Sequence, residues 1–333
     1  MITSKTNVTT ATTATATTVL DLLRARQSCR VFAAAPAGTV AARAAEALRA
    51  LNTAAATPAT LQRVVTPGAD ASVVALARDA PWAVRETAGM VRGPKHWAAV
   101  VQHAGAARRG GLAAGVLLER ATIALAALGL GAVTIADPRL AAAFPELAPA
   151  RLPRGSSVAT MLCYGVPDAP ALRAQPRTPR RAWAALFYDG AWRVPLTKAR
   201  ALAAAGTPLL AALDAVRVGQ SAFNTQPWRV VLEKQQPTQK QSQKQQKGGA
   251  LHFFFEEPRP GSGVPPGLNP RAWAGLDLGV AVANFDAVAR ESGLRGTWAP
   301  PSPAPAHEQA LVARLGAPQS AVLHYATWVP ASA

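Results

Sequence analysis

The sequence predicts an α+β fold in which two related halves follow each other along one chain. Three observations support this prediction. The chain has 333 residues, half of them apolar, which is enough for one large domain or two ordinary ones. Alanine-rich segments of helical character alternate with short strand-like runs. No repeat of fixed period is present, but the order helix, strand, linker, helix, strand, helix indicates two related halves.

The first half is expected to span residues 19–184, after a threonine- and alanine-rich tail at 1–18 that is predicted to be disordered. Its predicted helices cover residues 19–26, 39–51 and 110–128, and its predicted strands cover residues 132–136 and 158–166. The helix at 110–128 is apolar on almost every side except at Glu119 and Arg120, so we expect it to be buried. The glycines of Leu128-Gly129-Leu130-Gly131 end this helix and let the chain continue as a strand.

The second half is expected to span residues 185–333. Its predicted elements are a linker with an Asp-Gly turn at 185–190, helices at 207–218 and 272–292, and strands at 230–232, 251–255 and 322–328. A Gln/Lys-rich run at 234–249 is predicted to be a disordered insertion in a hairpin. Asp286 and Glu291 are expected on the solvated face of the long helix.

The formal net charge of +17 raises the question of a nucleic-acid or membrane partner. The basic residues are mostly scattered arginines without the interleaved aromatic residues that base stacking needs. Nucleic-acid binding is therefore disfavoured, and an anionic cofactor or substrate is the milder inference. The two cysteines and five histidines have no metal-ligand spacing, so no metal site is predicted.

No membrane association and no secretory signal are expected. The longest uncharged apolar run, residues 121–136, is short for a membrane span and is interrupted by Gly129 and Gly131. Two cysteines give no disulfide framework, so a reducing compartment is the default. We expect a cytoplasmic protein, with mitochondrial import through the N-terminal segment as the alternative.

The first polar segment of interest is Arg26-Gln27-Ser28-Cys29-Arg30. Arginine presents a planar fork of N–H donors and serine adds a hydroxyl, so this segment is a candidate phosphate cradle. The alternative is a solvated basic turn at a helix end. A second basic cluster, Arg177-Thr178-Pro179-Arg180-Arg181, leaves the same two interpretations open.

The second polar segment is the stretch 219–228, Gly-Gln-Ser-Ala-Phe-Asn-Thr-Gln-Pro-Trp. Pro227 should push Gln226 out of the α region, so we expect a stiff extended turn. The amides of Asn224 and Gln226 present donors and acceptors side by side, which suits the edge of a heterocycle or the hydroxyls of a sugar-like chain. The alternative is a packed junction in which these amides bind only loop backbone.

Together, these segments resemble the FMN-dependent nitroreductase family. The resemblance lies in Arg26-Gln27-Ser28-Cys29-Arg30, in the Ser-x-x-Asn-x-Gln-Pro-Trp of residues 221–228, and in Leu128-Gly129-Leu130-Gly131. Nearly two hundred residues separate the first two motifs, against a few tens in ordinary members. That spacing is similar to the thermotogal branch, in which two nitroreductase-like halves are fused. The resemblance covers residues 19–298 and implies antiparallel-rich central sheets flanked by helices, arranged as an internal pseudo-dimer.

The resemblance also implies one FMN site per chain, at the interface of the halves. The first half would supply the phosphate-binding segment and the second half the amide turn, while the mirror-image site looks lost. No side chain is assigned as catalytic, because the flavin itself would carry the chemistry. The residues implied to bind FMN are Arg26, Ser28, Arg30, Gly131, Ile135, Ala136, Arg180, Arg181, Ser221, Asn224 and Gln226.

The activity that the resemblance implies is ping-pong hydride transfer from a transiently bound NAD(P)H to a nitroaromatic or quinone-like small molecule. Two departures bear on it: Gln220 stands where the family has proline, and Asp137 stands where the branch has a small residue near the flavin N5. The alternatives are a catalytically silent flavin-binding relative and a basic nucleic-acid-associated protein. The chain is expected to be a monomer with its internal pseudo-dimer, or to form a further homo-oligomer.

Overall fold

The computed structural model describes residues 17–331 except 34–38, 54, 56, 67, 77–90, 94, 105–106, 136–153, 175–178, 235–248, 260, 303 and 320–321. Most of the predicted tail and most of the Gln/Lys-rich insertion lie outside the described residues. Thr18 was assigned to the tail, but it caps the first helix. Its Oγ1 accepts a hydrogen bond of 3.1 Å from the amide of Asp21.

The described helices are α1 Val19–Ala25, α2 Thr39–Ala50, α3 Ala107–Ala127, α4 Ala169–Ala174, α5 Lys198–Val218, α6 Ala274–Glu291 and α7 Pro305–Arg314. The predicted helices are confirmed with shifted ends. The helix predicted at 207–218 is the second part of α5, which is kinked at Ala205 and Gly206. The short helices α4 and α7 were not predicted.

The described strands are β1 Ala71–Ala75, β2 His96–Gln102, β3 Gly131–Ile135, β4 Ser157–Gly165, β5 Phe187–Asp189, β6 Trp228–Leu232, β7 Leu251–Glu256, β8 Gly296–Ala299 and β9 Val322–Pro330. They form one sheet in the order β1-β2-β4-β3 and another in the order β5-β6-β7-β9-β8. All strand pairs are antiparallel except β5–β6. Strand β5 is the segment predicted as a linker.

The two sheets repeat one topology. In the first sheet the order β1-β2-β4-β3 places the third strand along the chain at the edge, beside the fourth. The last four strands of the second sheet, β6-β7-β9-β8, follow the same order, and β5 is an additional strand at the other edge. In each half a long helix, α3 or α6, connects the second strand to the third. The fold is therefore α+β with two equivalent halves, as the sequence predicts; the boundary between residues 184 and 185 stays a prediction.

Helices α3 and α6 pack against each other with their backbones in contact. Gly111 faces Gly275, and Gly115 faces Gly279. A Cβ atom on Gly115 would lie 2.0 Å from the carbonyl oxygen of Leu276, so a larger residue cannot fit without moving a helix. Equivalent glycines meet each other, as expected when two equivalent helices pack about an approximate two-fold axis.

One apolar core spans both halves. It includes Leu117 and Ala121 on α3, and Leu278 and Phe285 on α6. Burial of this apolar surface against the facing helix is the main force that holds the halves together. A smaller apolar cluster covers the other face of the first sheet, and another lies between the second sheet and α7.

The prediction for Asp286 is wrong. Asp286 is buried, and its carboxylate accepts hydrogen bonds from Thr60 Oγ1 at 2.7 Å and Trp298 Nε1 at 3.1 Å. Helix α6 is buried on nearly every side, so its acidic residue needs partners inside the protein. Glu291 is exposed as expected, although it accepts a hydrogen bond of 3.0 Å from the Val19 amide.

Two segments, Lys198–Val218 and Pro270–Glu291, are long and apolar enough to cross a membrane by length and composition alone. In the second, 78% of the apolar window is buried within the protein, against 39% in the first. A core helix of this kind passes the same test as a membrane span. The first segment is interrupted by the kink in α5.

Candidate functional site

The amide turn, defined as residues 219–227, leads from α5 into β6. Ser221 Oγ accepts a hydrogen bond of 2.9 Å from the Gln226 amide, and the amide of Ala222 donates to Asp277 Oδ1 at 2.9 Å. Phe223, Asn224 and Gln226 have positive φ angles of 50°, 54° and 46°. Such backbone is costly for non-glycine residues and persists only where neighbouring contacts fix it.

The prediction of an extended Gln226 is therefore wrong. Proline at the next position disfavours the right-handed α region, but Gln226 adopts a left-handed φ. Its backbone is held on both sides. Ser221 binds its N–H, and Arg229 Nη1 donates to its carbonyl at 3.0 Å. The Arg229 guanidinium is in turn paired with Glu256 at 2.6 Å.

The side-chain amides of the turn bind a loop from the first half. Arg180 Nη1 donates to Asn224 Oδ1 at 2.5 Å, and the Arg181 amide donates to Gln226 Oε1 at 2.7 Å. Asn224 Nδ2 donates to the Pro179 carbonyl at 3.0 Å. The two contacts with loop backbone match the packed-junction alternative, whereas the contact with Arg180 is made by a side chain. Together, the contacts place two arginines beside the turn.

The segment Arg26–Arg30 runs along β3. The Cys29 amide donates to the Ala132 carbonyl at 2.9 Å, and Ser28 bridges Ala132 in a parallel sense. Gly131 allows this approach, because a Cβ atom there would lie 2.7 Å from Cys29 Sγ. The segment therefore adds to the edge of the first sheet.

The arginines at the two ends of this segment have different surroundings. Arg30 is exposed. Arg26 turns inward, and its Nε and Nη1 atoms are buried and have no hydrogen-bond partner in the part of the chain that the structure describes. Buried guanidinium N–H groups are rarely left without an acceptor. These two groups are therefore available to donate to an anion or to another polar group.

Helix α3 contributes Glu119, which is fully buried. Gln220 Nε2 donates to Glu119 Oε2 at 2.6 Å, and Thr134 Oγ1 on β3 donates to Gln220 Oε1 at 3.3 Å. Gln220 thus connects the amide turn with α3 and with the sheet edge. The buried Asn284 lies beside Glu119 and opposes the rise that burial causes in the pKa of Glu119, although the two side chains make no well-formed hydrogen bond.

Burial and like charge both act on the ionisable groups here. Burial lowers the pKa of Arg26, while Glu119 opposes that shift. Burial, with repulsion from Arg26, lowers the pKa of Arg180 to about 10. Burial raises the pKa of Glu119 against the opposing charge of Arg26. The site therefore combines two desolvated cations with one desolvated carboxyl, and an added anion would relieve the repulsion between the cations.

A further buried carboxyl supports the turn. Burial raises the pKa of Asp277 to about 8, and its hydrogen bond from the Ala222 amide opposes the shift only in part. Asp277 lies on the first turn of α6. Its role is to hold the amide turn against that helix.

The structure brings several predicted site residues together. Arg26 lies close enough to Arg180 and Glu119 for their charges to interact, and Arg180 binds Asn224. Arg181 binds the turn backbone through its Nε, which donates to the Thr225 carbonyl at 3.1 Å. Gln226 and Ser221 shape the same turn.

Other predicted residues lie at its margin. Ser28 and Gly131 form the neighbouring sheet edge, and Arg30 is exposed. The Ile135 side chain packs in the apolar cluster on the other face of the first sheet. Ala136, with Asp137, lies outside the described residues.

Sequence reasoning missed Glu119, Asn284 and the role of Gln220. One signal was available: Glu119 is an acidic residue on a helix that is otherwise almost wholly apolar, and such a carboxylate must face a polar partner. Trp228, the last residue of the 221–228 motif, is fully buried and packs in the core. Within the described ranges, no group of three or more His, Cys, Asp or Glu is placed to hold a metal ion.

Structural comparison finds a protein of Thermotoga maritima, described as a candidate nitroreductase, with a TM-score of 0.51 and 12% identity over 97% of this chain and 99% of that chain. The NADPH:FMN oxidoreductase of Vibrio harveyi, solved with NAD⁺, matches 48% of this chain and 73% of its own at 20% identity and a TM-score of 0.37. A candidate nitroreductase of Desulfovibrio desulfuricans, solved with FMN, matches 50% of this chain and 100% of its own at 24% identity and a TM-score of 0.35.

No protein-family model matches the sequence, and no curated protein matches it either. The first of these structures extends over both halves of the chain, and it has the fold that the sequence motifs indicate. The chain therefore has the nitroreductase fold, with its two sheets contributed by one polypeptide.

Proposed function

We propose that this protein is an FMN-dependent oxidoreductase that transfers hydride from NAD(P)H to a nitroaromatic or quinone-like small molecule. The observation that carries the proposal is the pair of unpartnered, buried N–H groups of Arg26 beside Arg180 and the amide turn. A phosphate monoester would give these donors the acceptor oxygens they lack. Arginine suits this task because its fork matches the geometry of phosphate oxygens.

The chain's residues fit FMN in the following way. Arg26 and Arg180, with Ser28 at the sheet edge, would hold the phosphate; Arg30 and Arg181 are further candidates at its margin. Asn224 and Gln226 would fix the turn. Their remaining hydrogen-bond donors and acceptors would contact the ribityl chain or the ring edge. Ser221 maintains the turn, while the backbone of Gly131, Ile135 and Ala136 would border the ring.

When bound, FMN would accept hydride from NAD(P)H and pass it to the second substrate. The protein would position the two substrates in turn, as a ping-pong sequence requires. No side chain is proposed to transfer a proton. The two halves would exclude water from the phosphate through the buried contact of α3 and α6.

Flavin retention tests the proposal. The purified protein should be yellow, and heat should release a flavin that chromatography identifies as FMN. Oxidation of NAD(P)H should then depend on an acceptor such as menadione. A colourless protein that does not take up added FMN would contradict the proposal.

Replacing Arg26 tests the phosphate role. The R26A variant should lose most of its FMN affinity, because the truncation removes a charge-assisted donor set from a desolvated site. The matched control is R43A, which changes an exposed arginine of α2. Equal FMN retention by R26A and R43A would refute the role of Arg26.

A second candidate function is a catalytically silent flavin-binding protein. The observation that favours it is that Asn224 and Gln226 already bind the loop at Pro179–Arg181, which leaves them fewer free donors for a ring. A protein that binds FMN but does not oxidise NAD(P)H with any acceptor would support this alternative. Salt-sensitive retention of DNA or RNA without flavin would instead support a nucleic-acid-associated protein.

The localisation, partners and oligomeric state of the protein form part of this proposal. We propose a cytoplasmic protein that acts on small molecules and does not require a membrane or nucleic acid. Its internal pairing of halves would make a monomer sufficient, and a further homo-oligomer is compatible with it. Gel filtration with light scattering distinguishes the two.

A further inference from the structure

The cluster around Glu119 contains buried polar atoms that have no partner. Nε and Nη1 of Arg26 are buried and have no hydrogen-bond partner among the described residues. Glu119 and the Asn284 amide lie close together, and Asn284 opposes the rise that burial causes in the pKa of Glu119, but they make no well-formed hydrogen bond. Glu119 and Asn284 have no exposed surface. Folded proteins hold only a few unpartnered buried polar atoms per hundred residues, so the Arg26 donors mark a site that another group completes.

The groups that face Glu119 come from four elements. Arg26 belongs to the segment beside β3, Arg180 to the loop at 179–182, Gln220 to the amide turn and Asn284 to α6, while Glu119 itself lies on α3. Arg217 of α5 adds positive potential at Arg180, although it is paired with Asp214 at 2.8 Å. Glu119 is thus one buried carboxyl facing two partly buried cations.

We propose that Glu119 takes up a proton when Arg26 and Arg180 bind the phosphate of FMN, so that Glu119 couples flavin affinity to pH. This inference rests on the proposed function. In the free protein Glu119, when ionised, offsets part of the charge of the two arginines. A phosphate dianion brings two more negative charges to the same desolvated space, and repulsion then favours the neutral carboxyl.

Burial acts in the same direction. It raises the pKa of Glu119 even with the two arginines opposing that shift. Once the arginines bind phosphate, less of their charge acts on Glu119. The pKa of Glu119 should therefore rise further on binding, and binding should become weaker at alkaline pH, where the proton is harder to obtain.

The E119Q variant isolates this effect. Glutamine keeps an oxygen that can accept from Gln220 Nε2 but cannot ionise. We expect E119Q to bind FMN about tenfold more tightly than the wild type at pH 8, which corresponds to a coupling of about one pKa unit. The difference should shrink towards pH 5. Riboflavin, which has no phosphate, should bind both proteins with similar affinity.

Isothermal titration of the full chain at several pH values between about 7 and 9, in buffers of different ionisation enthalpy, counts the protons taken up and finds the pH at which uptake is largest. The phosphate of FMN is mostly a dianion across this range. The wild type should take up more protons with FMN than with riboflavin, whereas E119Q should show no such difference. The E46Q variant, changed at an exposed carboxylate of α2, should behave like the wild type.

The outcomes separate the two proposals. FMN binding with equal proton numbers in the wild type and E119Q overturns the coupling and leaves the proposed function intact. Absence of FMN binding in every protein overturns the proposed function and the coupling with it. If E119Q does not fold, the FMN-minus-riboflavin proton number of the wild type decides: a value of zero overturns the coupling.

Discussion

The two halves share one strand order but differ in the connection between their first helical segments. In the first half, residues 26–38 separate α1 from α2 and contain the segment Arg26–Arg30. In the second half, only Ala205 and Gly206 interrupt α5. The phosphate-binding candidate is thus present in one half and has no counterpart of similar length in the other.

The turns that follow differ as well. In the second half the amide turn binds Arg180 and Arg181 through side chains. In the first half the side-chain amide of Asn52 binds the backbone of Val73. Its Nδ2 donates to the Val73 carbonyl at 2.7 Å, and its Oδ1 accepts from the Val73 amide at 2.6 Å. In the proposed function, each half would therefore supply a different part of one composite site. A duplicated fold does not require a duplicated function.

The paired helices show the same asymmetry. The two helices can be aligned by placing Gly111 with Gly275 and Gly115 with Gly279. In this alignment Glu119 of α3 corresponds to Ala283 of α6, and Asp277 of α6 corresponds to Ala113 of α3. Each helix has one buried carboxyl of the site at a position where the other has alanine. The backbone contact at the glycines is shared, but the polar groups beside it are not.

The largest expected effect comes from breaking the shared contact. The G115V substitution should destabilise the protein by about 3 kcal/mol or more, because its side chain would meet the α6 backbone. Urea unfolding, or the yield of folded protein, measures the loss. The matched control is G111A, whose Cβ would lie 3.2 Å from Gly275 Cα, and a cost for G115V no larger than that of G111A would contradict the proposed packing.

A second effect concerns Asp277, which supports the turn of the second half only. Burial raises its pKa in the folded state to about 8, well above that of an exposed aspartate. In the pH range between the two values the unfolded state binds fewer protons, so stability falls as pH rises. The D277N variant should lack this fall. We expect the free energy of unfolding of D277N to exceed that of the wild type by a few kcal/mol at pH 8. Near pH 4 the two values should be similar.

Urea unfolding of both proteins across this pH range measures the difference. Asparagine keeps an oxygen that can accept from the Ala222 amide, so the hydrogen bond to the turn is retained. A difference between the two proteins that does not change with pH would show that Asp277 does not titrate in this window.

The smallest effects compare the two turns directly. The N52A variant should lose about 1–2 kcal/mol of stability, because two backbone groups of Val73 lose their partner, and should keep its FMN affinity. The N224A variant should lose a similar amount of stability and also bind FMN less tightly, because Arg180 loses its anchor. Equal FMN affinities in the two variants would contradict the division of roles between the halves.

Much of the fold could be predicted because apolar periodicity is strong in the elements of the core. Helices α3 and α6 and strands β3, β4, β7 and β9 lie close to their predicted positions. Strands β1 and β2 were missed: each contains a Val-Val pair that favours a strand, but the flanking alanines and polar residues give no regular alternation of apolar and polar positions. Asp286 was misplaced because an acidic residue on a helix usually faces solvent.

The site was less predictable than the fold. The motifs at Arg26–Arg30 and at the amide turn could be recognised locally, and the structure places them near each other. Gln226 was assigned an extended backbone because the influence of Pro227 is local, whereas the contacts from Ser221 and Arg229 depend on the folded turn. Glu119 was noted only as an exception to an apolar helix, since its partners come from distant parts of the chain.

The number of FMN molecules bound per chain tests the composite site most directly. The protein is saturated with FMN, freed of excess by gel filtration and heated, and the released flavin is measured against the protein concentration. One site built from both halves predicts a ratio close to one, and R26A and N224A should each lower it under the same conditions. A ratio close to two would contradict the account, because each half would then hold a site of its own.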